Sequence, residues 1–216
     1  MQREIIVTVT TAATNYDLAT LAEIRDELDI TNGAQDARLQ RYLTSASAAI
    51  SQYCNRVFPA ETMTEQFWAQ RDRWPRLVKG GFPSLQLSRW PIQSVTSVTE
   101  NGTALVEDTD FTVDAANGQL VRLDINLYPR PWPIFPIVVV YVGGFDTIPA
   151  DVADAAVRMV KARYFSRDRD PMLRSENIEG VYSAQYWIAM GSQAGNMPPD
   201  IADILDNYRV PIAHGA

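Results

Sequence analysis

Ile137-Val138-Val139-Val140-Tyr141-Val142-Gly143-Gly144-Phe145 is the stretch whose reading decides the fold. Pro129-Arg130-Pro131-Trp132-Pro133-Ile134-Phe135-Pro136 precedes it and is too proline-dense for helix or sheet, so it reads as an extended loop. The apolar run behind that loop is too short for a buried helix and rich in β-branched residues. It therefore reads as a central, doubly covered strand. Gly143-Gly144 frees the backbone to turn. After Pro149 the period changes: Val152, Ala155, Ala156, Met159 and Ala162 mark one face of a helix reaching to about Arg167. A sheet thus ends and a helix begins within a dozen residues.

Upstream, the β pattern extends back to Val57, with Pro59, Pro75, Pro83 and Pro91 excluding long helices. The expected strands are Thr62 to Ala69, Leu85 to Leu87, Gln93 to Thr99, Ala104 to Val106, Phe111 to Val113, Gln119 to Leu123 and Ile137 to Val142. Asn101-Gly102 and Asn117-Gly118 sit between such runs and predict hairpins, because both residues tolerate positive φ. Before Val57 the period is helical. Leu39, Leu43, Ala46, Ile50 and Tyr53 form one stripe of a helix from near Asp36 to near Cys54. Thr20-Leu21-Ala22-Glu23 is a capping box opening a shorter helix, with Leu21, Ile24 and Leu28 on one face and Thr31-Asn32-Gly33 as its stop.

Downstream, residues 171 to 197 are polar and rich in Gly and Ser, and a short helix opens at Pro198-Pro199-Asp200. Ile201, Ile204, Leu205 and Tyr208 make its apolar face. The expected class is α+β, a small helical bundle with a β-rich insertion between the second and third major helices. The expected divisions are 1–56, an N-terminal strand or arm with two helices; 57–148, the β-rich insertion; 149–170, the third helix; and 171–216, a C-terminal arm with a short helix.

The chain's 216 residues suffice for a real core, and 46% apolar with 21% charged residues is ordinary for a folded protein. No run approaches a membrane span, and Met1 to Val7 lacks the apolar stretch of a signal peptide, so the chain is expected to remain in the cytoplasm where it is made. A net charge of −7 argues against a surface that grips phosphates. It suits a protein past which DNA slides without sticking.

Chemistry-bearing combinations are absent. The single histidine, His214, stands near the terminus, and with the single Cys54 it cannot supply a zinc site. Cys54 reads as a small buried hydrophobe. Asp108 and Asp110 lie in a solvated turn without the spacing of a calcium loop. Gly143-Gly144 lacks the companions of a phosphate loop. No cofactor, no metal and no catalytic residue is expected.

Five tryptophans, Trp68, Trp74, Trp90, Trp132 and Trp187, cluster in or beside the β part and default to packing. Because aromatics are enriched at protein interfaces, Trp132 and the Tyr186-Trp187 pair are candidate anchors. Arg167-Asp168-Arg169-Asp170 reads as a solvated helix end, or as alternating charge that pairs across a subunit boundary.

Taken in order, these segments resemble a known family. They are Thr20 to Glu23; Asp36 through Tyr53-Cys54-Asn55-Arg56; Trp90-Pro91-Ile92-Gln93-Ser94-Val95; the Asn117-Gly118 hairpin; Val139 to Phe145; Ile148-Pro149; and Tyr164 with Arg167-Asp168. From about residue 17 to 210 the chain is similar to the head-to-tail connector (adaptor) proteins of long-tailed bacteriophages and gene transfer agents. The resemblance implies a non-enzymatic virion protein of the neck, assembled in the host cytoplasm as a homo-oligomeric, twelve-fold ring under the portal protein. It implies contact with the next neck or tail completion protein (the stopper), and a lumen through which DNA passes without sequence-specific binding or membrane contact. Residues 171–216 become the candidate portal contact, with Ile201, Leu205, Tyr208 and Arg209 among its interface residues. The β insertion is larger than in shorter members. A rival reading is a ligand- or carbohydrate-binding β module of a virion or cell surface, supported by the Trp-rich sheet region.

Overall fold

The computed structural model describes residues 5–68, 84–133, 136–167, 175–178, 182–185 and 197–210. The chain divides into two compact units: residues 1–15 with 59–147, and residues 16–58 with 148–216. Residues 1–15 thus fall with the β-rich segment, although the first helices follow them in sequence. The class is mixed α and β, with four α-helices among the described residues.

The β unit contains β1 (Ile5–Thr11), β2 (Glu61–Phe67), β3 (Leu85–Gln86), β4 (Ile92–Glu100), β5 (Thr103–Leu105), β6 (Phe111–Asp114), β7 (Gln119–Leu123), β8 (Pro129–Arg130) and β9 (Ile137–Gly143). One antiparallel sheet has the order β1-β2-β9-β4-β5; the other has the order β3-β7-β6, with β8 paired to β7. β9 is central, as the opening stretch required, and pairs with β2 and β4 on its two sides. Its residues alternate: Ile137, Val139 and Tyr141 are buried, while Val138, Val140 and Val142 are half-buried. The second face is thus less covered than a continuous apolar run implies.

The strand limits lie within about two residues of those read from the sequence. Asn101 and Gly102 have φ of 50° and 82° and join Glu100 to Thr103 as a two-residue turn of the type the right-handed twist favours. The Asn117-Gly118 hairpin is longer, running from Asp114 to Gln119, and Asp114 holds it by accepting from the Asn117 amide at 3.2 Å. Gly144, at φ 114°, carries the turn out of β9, where a Cβ would stand 2.6 Å from the Pro59 carbonyl. A single apolar cluster draws on both sheets: Met63, Phe67, Ile92, Val98, Val139 and Tyr141 from one, Leu85, Phe111 and Leu120 from the other, and Trp132 beside them.

The helical unit contains α1 (Leu21–Glu27), α2 (Asp36–Tyr53), α3 (Ala150–Phe165), a hairpin of β10 (Ser175–Ile178) and β11 (Tyr182–Gln185), and α4 (Pro199–Leu205). The capping box at Thr20 is formed: the Glu23 amide donates to Thr20 Oγ1 at 3.2 Å, and the Thr20 amide donates to Glu23 Oε2 at 2.6 Å. Leu39, Leu43, Ala46 and Ile50 of α2 are buried, as their spacing requires. On α3 the buried face is Val152, Ala155, Ala156 and Val160; Met159 is half-buried and Ala162 is exposed. The β10–β11 hairpin lies in the polar segment for which the sequence suggested no regular element. No helix among the described residues is long and apolar enough to cross a membrane.

Candidate assembly surfaces

The residues singled out by sequence have three different fates. Trp132 is fully buried, and its indole N–H donates to the Leu120 carbonyl at 3.0 Å. The Arg122 guanidinium lies 5.9 Å from its ring centre. Trp132 is a core residue of the β unit, enclosed by its own chain rather than standing out from the proline-rich loop. Proline density restricts backbone shape, but it does not decide whether the side chain between prolines points in or out.

Ile201 and Leu205 are also buried, in the helical unit, with Met197. α4 is tied to α2: the Cys54 thiol donates to the Leu205 carbonyl at 3.7 Å, and the Val210 amide donates to the Cys54 carbonyl at 2.9 Å. Beyond α4, the Tyr208 hydroxyl donates to the Asp151 carboxylate at 2.8 Å, and its ring centre is 5.9 Å from that of Phe58. Burial and then the Asp151 bond push the Tyr208 phenol up to about 12. The Tyr53 hydroxyl donates to Asp206 at 2.7 Å, which holds its phenol above the ordinary value. Arg209 is exposed, 5.2 Å over the Tyr53 ring. Residues 197–210 thus close the helical unit on themselves. Cys54 is fully buried, and burial raises its thiol to about 11, so it is a packed hydrophobe and not a nucleophile.

Arg167 follows α3 with its guanidinium 4.3 Å from the Tyr164 ring, and its Nη1 donates to Gln35 Oε1 at 3.4 Å. Arg167 and Gln35 hold the Tyr164 phenol below its usual range. Arg163 stacks 4.5 Å over Tyr42 of α2. These contacts gather arginines and tyrosines where α2 begins and α3 ends, and Phe165 beside them is 68% exposed. Asp168, Arg169, Asp170, Tyr186 and Trp187 lie outside the described residues.

Three features escaped the sequence reading. Glu61 and Glu65 face the interior from β2. Glu61 pairs with Arg89 at 3.3 Å, and Glu65 Oε1 accepts from the Ser88 amide at 2.9 Å, the Ser88 hydroxyl and the Tyr141 hydroxyl. Burial and Glu65 together hold the Tyr141 phenol above its usual range. The carboxylates clamp the Ser88-Arg89 loop onto the sheet. The buried positions of β2, Glu61, Met63, Glu65 and Phe67, alternate with Thr62, Thr64 and Gln66, a period-2 signal that reads as strand but places acids at two positions where apolar residues are expected.

The second feature is the β7–β8 turn, where Asp124 Oδ1 accepts from the Asn126 and Tyr128 amides at 2.8 and 2.9 Å. That turn presents Ile125, Leu127 and Tyr128 to solvent at 97%, 58% and 69% exposure. The third is the exposure of β1: the sequence suggested an N-terminal strand or arm but not that all seven residues of the strand are exposed.

Among the described residues, no group of three or more His, Cys, Asp or Glu is placed to hold a metal ion. Asp110 accepts from the Val106 amide at 2.9 Å, which lowers its pKa and stiffens its turn.

A family model described as head completion protein matches residues 17–210. The chain belongs to the head completion protein family. No curated protein sequence matches it. Its fold is similar to that of chains in three solved assemblies, described as the neck of an empty GTA particle computed with C6 symmetry, the neck of a native GTA particle computed with C12 symmetry, and the virion of a native gene transfer agent (GTA) particle. Identities are 21%, 20% and 20%, with TM-scores of 0.55, 0.53 and 0.53; each likeness covers 97% of this chain and 98% of the other. This head completion protein therefore has the fold of those neck chains over nearly its whole length, β unit included.

Proposed function

We propose that this head completion protein is a structural part of the neck, a head-tail connector that forms a ring under the portal, joins the capsid vertex to the tail and leaves a channel for DNA. The family match over residues 17–210 carries the reading. The likeness to neck chains in assemblies of six-fold and twelve-fold symmetry supports a ring of twelve copies. A net charge of −7 fits a wall that DNA passes rather than one it binds.

In this reading α1, α2 and α3 form the bundle, with the β-rich segment inserted between the second and third. Residues 171–216 carry the portal contact and the stopper binds elsewhere on the ring. Ile201 and Leu205 are spent on the unit's own core, so within 197–210 such contact falls to exposed groups such as Asp203, Asn207 and Arg209.

The test is electron microscopy of particles assembled without this chain. Filled heads and free tails that fail to join are the expected result, and complementation with the wild-type chain restores tailed particles. Normal tailed particles in its absence would sink the reading.

A further inference from the structure

Among the described residues, β1 is an open edge of the five-stranded sheet, hydrogen-bonded to β2 on one side only. The register pairs Ile5 with Phe67, Val7 with Glu65 and Val9 with Met63. Cross-strand partners share a face, so Ile5, Val7 and Val9 lie on the side of the sheet where Met63, Glu65 and Phe67 are buried. Yet Ile5, Val7 and Val9 are 44%, 46% and 43% exposed. Among the described residues, the apolar face of the sheet runs one strand past its cover.

Natural edges are usually guarded by charge, proline or a bulge in mid-strand. Ile5-Ile6-Val7-Thr8-Val9-Thr10-Thr11 has neither charge nor proline, and its one irregularity lies between Val9 and Thr11, near the end. Seven consecutive neutral residues on this exposed strand leave its surface free of local charge repulsion. Copies of a chain with a net charge of −7 repel one another, and a contact through an uncharged strip adds no local like-charge pair to that repulsion. A basic partner would instead be drawn to the acidic remainder of the surface.

We infer that the open edge of β1 is an assembly surface for a second copy of this chain, which adds a strand to the sheet there and covers Ile5, Val7 and Val9. The added strand supplies backbone hydrogen bonds, and its alternate side chains extend the apolar face. In a cyclic ring the contact joins unlike surfaces, so the donated strand is an element other than β1. This inference rests on the ring reading above.

Hydrogen exchange followed by mass spectrometry, on the free chain and on its assembled ring, reads the edge directly. Slowing of at least tenfold across residues 5–11 on assembly is the expected result. Val7→Lys places a guard charge in the strip. Its thermal midpoint should stay near that of the wild type, because Val7 is half-exposed, while ring formation at equal concentration falls at least tenfold and Val7→Ile retains it. Rings that leave the β1 amides unprotected, or Val7→Lys chains that assemble as well as wild type, overturn the inference and leave the neck reading standing. A wild-type chain that joins no ring at all overturns the neck reading as well. Should Val7→Lys misfold, the exchange measurement on the wild type still decides.

Discussion

The helical unit and the β unit bury different things. Among the described residues of the helical unit the interior is largely aliphatic, with Ile24, Leu39, Leu43, Ile50, Val152, Val160, Ile201 and Leu205, joined by Phe58, Cys54 and the uncharged Ser47. Its tyrosine–carboxylate bonds, Tyr208 to Asp151 and Tyr53 to Asp206, lie at its surface. The β unit buries ionisable groups: Glu61, Glu65 and Arg122 are 4%, 0% and 6% exposed. Helices satisfy their own backbone, so side chains need only be apolar on one stripe. The β unit instead holds irregular connections such as Ser88-Arg89 and the turn at Asp110 against its sheets, with buried acceptors and donors reaching them. Arg122 illustrates this, bonding Glu100 at 3.0 Å, the Asp110 carbonyl and, at 3.4 Å, the Leu123 carbonyl. Such groups cost desolvation energy and return a defined loop geometry.

The comparison can be broken most sharply at Trp132. Trp132→Ala removes the largest fully buried side chain among the described residues of the β unit and leaves the Leu120 carbonyl without its donor. A loss of about 3–5 kcal/mol in denaturant unfolding is expected. Leu205→Ala is the helical counterpart, with a loss of about 2–5 kcal/mol and no polar group orphaned. A Trp132→Ala loss under about 1 kcal/mol would refute a core role.

Glu65 separates charge from hydrogen bonding. Glu65→Leu leaves the Tyr141 hydroxyl and the Ser88 amide without an acceptor and should cost about 1–3 kcal/mol. Glu65→Gln keeps an oxygen facing those donors and should cost less, since the lost charge was itself costly to bury. Equal losses would mean that the carboxylate charge, not its acceptor role, holds the loop. Thr20→Ala removes the cap of α1 and should cost about 1 kcal/mol, measured by chemical denaturation.

A further effect is pH-dependent. The Cys54 thiol rises from an ordinary 9.0 to about 11, so folding favours its neutral form. Its contribution is fully present below pH 9 and is lost as pH rises from about 9 to about 11. A thiol reagent at pH 8 should modify Cys54 only after unfolding. Rapid labelling of the folded chain would contradict its burial.

Much of this was legible because period and punctuation act locally. The apolar run at 137–142, the Asn-Gly pairs and the Thr20 box fix their elements through nearest neighbours in sequence, and each lies where the pattern put it. The burial of Trp132 depends on a partner, Leu120, twelve residues away across a sheet. The inward turn of Glu61 and Glu65 depends on Arg89, Ser88 and Tyr141, which arrive from other strands and loops. Among the interface candidates, Arg167 and Arg209 are exposed, Tyr208 is half-buried, and Trp132, Ile201 and Leu205 are interior. Apolarity alone does not separate a core residue from an anchor. The exposed β1 strip was hidden for the same reason, since its sequence reads as an ordinary strand until its neighbours are known.

Mass photometry of isolated portal rings mixed with the purified chain tests the central claim most directly. The portal mass is expected to rise by a multiple of 24.1 kDa corresponding to a closed ring, saturating once the ring is complete. A folded chain that leaves the portal mass unchanged at saturating concentration would contradict it.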